Sequence, residues 1–85
     1  MNLTDYIEKE SKKNALSQEL FAELKNISND TEFLYGVLYL TKNKDDRAAL
    51  LEYIKKGEDV NFSQIILNAL WLYQQRKKES NTTDN

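Results

Sequence analysis

The chain contains no cysteine, no histidine and no proline, and only two glycines, Gly36 and Gly57. Without cysteine and histidine there are no disulfides, thiolate nucleophiles, imidazole bases or usual zinc ligand sets. Two isolated glycines cannot build a phosphate-cradling loop, so nucleotide hydrolysis is not expected. Carboxylates, hydroxyls and lysines remain, with no activating partner visible among them, and the chain is not expected to be an enzyme or to carry a cofactor or metal. Asp45 and Asp46 are adjacent carboxylates at a helix start, where capping explains them. The N-terminus lacks the basic start and apolar stretch of a secretion signal, and the longest uncharged stretch, Val60 to Gln75, is too short and too polar to span a bilayer. A cytoplasmic protein without a membrane segment is the expectation.

What is present is enough to fold. Hydrophobic residues make up 40% and charged residues 31% of 85 residues, which is far from the composition of a disordered chain and of the right size for one small domain or one subunit of an oligomer. The formal charge of −2 is unevenly spread. Residues 1–36 carry four lysines against seven carboxylates, a charge of −3, whereas residues 37–78 carry eight basic against five acidic residues, a charge of +3. The acidic front and basic middle permit a polyanionic partner for the second half.

Along the chain, Leu3, Tyr6 and Ile7 mark a short first helix that Thr4 could cap. Leu16, Leu20, Leu24 and Ile27 recur at spacings of four, four and three, the signature of an amphipathic helix that stops at the turn residues Ser28-Asn29-Asp30-Thr31. Arg47 to Lys56 forms a further helix ending at Gly57, and a last helix, capped by Asp59 or Asn61, runs from about Phe62 to Lys78. This last helix is apolar nearly all round, which calls for burial all round, and a second copy of the chain would supply it.

The segment Phe33-Leu34-Tyr35-Gly36-Val37-Leu38-Tyr39-Leu40-Thr41 fits two templates. A helix collects Phe33, Leu34, Val37 and Leu38; a strand puts Leu38 and Leu40 on one face and Val37, Tyr39 and Thr41 on the other. Aromatic and β-branched residues, and a glycine in mid-segment, predict a strand from about Val37 to Lys42. A lone strand cannot satisfy its own backbone, so the same strand of a second molecule would pair with it about a two-fold axis.

The strand Val37-Leu38-Tyr39-Leu40-Thr41, the helix Asp46 to Lys56, the short link Gly57 to Val60, and Asn61 to Tyr73 with Ser63, Ala69, Leu70 and Tyr73 in register resemble ribbon-helix-helix repressors of the MetJ/Arc/CopG kind. The resemblance implies a mainly α homodimer with one short β-strand and a ribbon-helix-helix domain over 33–78; the chain's own pattern adds an acidic helical extension over 1–32, which the family commonly lacks, and a disordered tail over 79–85. It implies a transcriptional regulator that inserts an antiparallel ribbon into the major groove of double-stranded DNA. Val37, Tyr39 and Thr41 would then face the bases. Lys42, Lys44, Arg47, Asn61, Phe62 and Ser63 would meet phosphates. Leu38, Leu40, Ile65, Ile66, Ala69, Leu70 and Tyr73 would form the dimer interface, leaving the acidic extension for a protein partner. The alternative is an all-α bundle of four or five helices acting as an adaptor, inhibitor or immunity-type interaction module without DNA binding.

Overall fold

The computed structural model describes residues 2–57 and 60–83, with side chains through residue 78. Five helices follow one another: α1 Leu3–Ser11, α2 Ala15–Ile27, α3 Thr31–Leu40, α4 Lys44–Lys56 and α5 Phe62–Thr83. The fold is the all-α bundle of five helices. Position 59, one of the two sequence candidates for capping α5, lies outside the described residues, as do 58, 84 and 85. The segment assigned to a disordered tail from Glu79 is helical through Thr83.

Asparagine starts four of these helices. Asn2, rather than Thr4, caps α1 by accepting from the Asp5 N–H at 2.9 Å; Asn14 accepts from Ser17 at 2.8 Å and Asn43 from Asp45 at 2.9 Å. At α5 the cap is reciprocal: Asn61 Oδ1 accepts from the Gln64 N–H at 3.0 Å while Gln64 Oε1 accepts from the Asn61 N–H at 3.2 Å. Each arrangement satisfies an amide that the first helical turn leaves without an intrahelical partner. α4 also carries Asp45 and Asp46 in its first turn and Lys55 and Lys56 in its last, each sign at the end of the dipole that favours it. It stops at Gly57 with φ −75°, so left-handed backbone is not the reason for glycine. Space is: a Cβ there would lie 1.9 Å from Val60 Cγ2.

The strand expected from Val37 to Lys42 does not form, because α3 is helical through Leu40. Among the described residues there is no strand at all, and the ribbon-helix-helix resemblance falls with it. Burial explains the outcome. Phe33, Leu34, Val37, Leu38 and Thr41 are buried at positions i, i+1, i+4, i+5 and i+8, two adjoining stripes on one side of a helix. A strand would have sent Val37 and Leu38 to opposite faces. The aromatic content that favours strands reflects a fit to packed surfaces, and here Tyr35 and Tyr39 stack at 5.9 Å one helical turn apart. Gly36 costs such a helix about 1 kcal/mol relative to alanine, which five buried side chains outweigh. The Thr41 N–H donates to the Val37 carbonyl at 3.0 Å, so no orphan ladder remains for a second copy to pair with.

α3 packs against α1 and α5, and α4 against α2 and α5. All five helices contribute to one core, with Ile7 from α1, Leu20 and Leu24 from α2, Phe33, Leu34, Val37 and Leu38 from α3, Leu50, Leu51 and Ile54 from α4, and Ile65 and Ala69 from α5. The acidic N-terminal helices are thus part of the same core as the rest of the chain. Among the described residues no helix is long and apolar enough to cross a membrane.

Candidate functional site

Among the described residues, two groups stand out against the rule that polar side chains face out and apolar ones face in. The first is internal, at the start of α4. Arg47 is only 2% exposed and reaches three other helices: Nη1 donates to Ser17 Oγ of α2 at 2.8 Å, and Nη2 donates to Glu10 Oε1 of α1 at 3.2 Å and to the Leu38 carbonyl of α3 at 2.7 Å. Its Nε is buried without a hydrogen-bond partner. The neighbouring Asp46 takes the fifth helix, accepting two hydrogen bonds from Arg76 of α5 at 2.9 and 3.0 Å. Two consecutive residues of α4 therefore hold all four other helices. A charge in this position is compensated by a carboxylate and neutral acceptors, and its role is architectural.

The second place is external, where α1, α3 and α5 adjoin. Four tyrosines form a row: Tyr6 lies 5.1 Å from Tyr35 and 6.4 Å from Tyr39, Tyr35 stacks on Tyr39, and Tyr39 lies 6.3 Å from Tyr73. The row is half-buried, and Tyr39 is exposed with Lys42 Nζ 5.0 Å from its ring centre. Burial, followed by the nearby Glu10 carboxylate, pushes the Tyr6 hydroxyl above its ordinary pKa of 10.0. Beyond Tyr73 along α5 stand Leu70, Leu67 and Trp71, exposed to 37%, 65% and 56%. Their spacing of i, i+3 and i+4 makes them one patch of helix surface.

A recess of about 350 Å³ opens where the end of α3, the start of α4 and α5 meet. Leu40 and Tyr73 give it a largely apolar wall, with Asn43 and Asp46 beside them and Lys42, Arg76 and Lys77 around the rim. Because Arg76 binds Asp46 through two hydrogen bonds, their charges offset each other and the two lysines set the sign of the recess. Among the described residues no cluster of three or more carboxylates could hold a metal ion.

The residues expected to read DNA are dispersed by the helix. Val37 and Thr41 are in the core, at 1% and 0% exposure, with the Thr41 hydroxyl donating to the Val37 carbonyl at 2.7 Å; Tyr39 alone of the three is exposed. Of the residues expected at phosphates, Arg47 is the internal clasp just described. Phe62 stacks on Phe33 at 4.5 Å, Asn61 is the α5 cap, and Lys42, Lys44 and Ser63 are exposed. Of those expected between two copies, Leu38, Ile65 and Ala69 are fully buried within one chain. Leu40, Ile66 and Tyr73 are half-buried, and Leu70 is exposed.

Of the sequence candidates, Leu40 lines the recess, and Tyr39, Lys42, Leu70 and Tyr73 reach the external face. Tyr6, Tyr35, Leu67, Trp71 and Lys77 complete it and were missed. The spacing of Tyr35 and Tyr39 is the signal that could have placed them together, but it speaks only once α3 is known to be helical.

No protein-family model, curated protein or solved structure matches this chain.

Proposed function

We propose that this chain is a helical protein–protein interaction module that receives an acidic amphipathic helix of a partner protein across the face shared by α3 and α5. The observation that carries this is the patch of Leu67, Leu70 and Trp71, left open on a helix whose opposite side fills the core. A contiguous apolar patch beside aromatic residues marks an interaction surface, and tryptophan and tyrosine are the residues that most often dominate binding energy. Tyrosines held by one another lose little freedom on binding. Covering these partly exposed leucine and tryptophan side chains favours association, and after the cost of lost translational and rotational freedom the sum supports a weak, reversible complex. Charge selects the partner's polar side: Lys42 and Lys77 border the face, and a helix with glutamates along its flank complements them.

Trp71 is the sole tryptophan, so its fluorescence reports on the face directly. The probe is a synthetic amphipathic helix of leucine, alanine and glutamate, compared with a counterpart carrying lysine for glutamate. The glutamate peptide is expected to shift Trp71 emission to shorter wavelength and the lysine peptide to leave it in place. Equal shifts with both peptides, a shift with neither, or a shift produced by concentrating the protein alone, which would mean that a second copy covers the patch, each overturns the proposal.

A further inference from the structure

We infer that the recess between α3, α4 and α5 is a binding site for an apolar group bearing a carboxylate. On the reading above, that group is an apolar side chain of the partner helix with a glutamate beside it. The volume of about 350 Å³ lies at the small end of ligand pockets, enough for one ring or branched aliphatic group and not for an extended molecule. Leu40 and Tyr73 offer that group an apolar wall, and Tyr73 is held in place by its contact with Tyr39. The polar groups are arranged for an anion. The Arg76–Asp46 pair is already satisfied, Lys42 and Lys77 are exposed at the rim, and the Asn43 side chain, whose oxygen accepts from the Asp45 N–H, still has its amide NH2 to donate. A cation in the same place would meet two like charges. A neutral apolar group would fill the wall and leave the lysines unused. At the edge of a low-dielectric wall two ammonium groups attract a carboxylate more strongly than they would in open water.

The same arrangement explains why the recess and the Leu67–Trp71 patch belong to one surface. Leu70, Tyr73 and Lys77 stand at i, i+3 and i+7 on α5, so one side of the helix leads from the patch into the recess. A helix lying along α5 would place one apolar residue in the recess and a flanking glutamate between Lys42 and Lys77.

The test uses the full chain and a small probe, phenylpropionate, with its neutral amide, phenylpropionamide, as control. Titration is followed by backbone NMR. Phenylpropionate is expected to move the amide signals of residues 40–43 and 73–77 and to bind about tenfold more tightly than the amide, a difference of about 1.4 kcal/mol. Lys42→Gln combined with Lys77→Gln should bring the carboxylate down to the level of the amide, with the folded spectrum preserved because both lysines are exposed. Leu67→Ala, which keeps the Trp71 reporter, should leave this titration unchanged while weakening binding of the glutamate peptide. Shifts elsewhere, equal binding of the two probes, or indifference to the lysine substitutions overturns the inference. Because the peptide experiment reads Trp71 and this one reads residues 40–43, each can fail without the other.

Discussion

The start of α4 and the middle of α5 handle polarity in opposite ways. At α4 a guanidinium is enclosed by three helices; at α5 a tryptophan and two leucines border water beside a row of tyrosines drawn from α1, α3 and α5. The enclosed arginine meets directional partners from α1, α2 and α3, and so it selects one mutual placement of those helices. Apolar contacts alone accept many placements. The open patch has no such partners within the chain, so its energetic value is available to another molecule. One region spends polar chemistry on defining the fold; the other leaves apolar surface for recognition.

If this contrast is correct, substitutions in the two regions separate stability from binding. Arg47→Ala should have the largest effect, lowering stability by about 3–5 kcal/mol, because it leaves the Glu10 carboxylate, Ser17 and the Leu38 carbonyl buried without their donor. Urea denaturation followed by circular dichroism measures this, and a loss below about 0.5 kcal/mol would break the contrast, since that is the range of surface substitutions. Gly36→Ala should act in the opposite direction, stabilising α3 by roughly 0.5–1 kcal/mol. A Cβ at Gly36 meets nothing within 4 Å, so the gain in helix propensity carries no steric cost. Leu67→Ala should change stability by less than about 0.5 kcal/mol while reducing the affinity for the acidic peptide, read from Trp71 emission. The smallest effect concerns Tyr6. Its folded-state pKa is raised, so its contribution is intact below the ordinary value of 10.0 and is lost as alkali deprotonates it in the folded protein. Tyr6→Phe should therefore flatten the decline of melting temperature above about pH 10.

The elements legible from sequence were those with one dominant periodicity. The Leu16, Leu20, Leu24 and Ile27 spacing gave α2 as Ala15–Ile27, and Gly57 marked the end of α4. At α3 the sequence pattern misleads because local propensity and tertiary burial conflict there. Gly36 and four aromatic or β-branched neighbours favour extension, whereas the two core-facing stripes require a helix, and that requirement exists only once α1 and α5 are in place. The same dependence hid the face. Tyr6, Tyr39 and Tyr73 meet only through the packing of α1, α3 and α5. Trp71, in a helix apolar nearly all round, could not be assigned to the open side until Ile65 and Ala69 were seen to occupy the closed one. Arg47 likewise looks like a surface cation from sequence, which offers no sign that Glu10 and Ser17, 37 and 30 residues away, turn toward it.

The Arg47 clasp also bears on the time course of folding. Its donors find their acceptors only after α1, α2 and α3 have each arrived, so it is expected to close late, behind the main barrier. An interaction of that kind holds the finished protein shut without hastening its assembly. Stopped-flow measurements on Arg47→Ala should therefore show the chain escaping its native state faster while returning to it at nearly the original rate. Equal changes on both limbs would instead place the clasp in the nucleus.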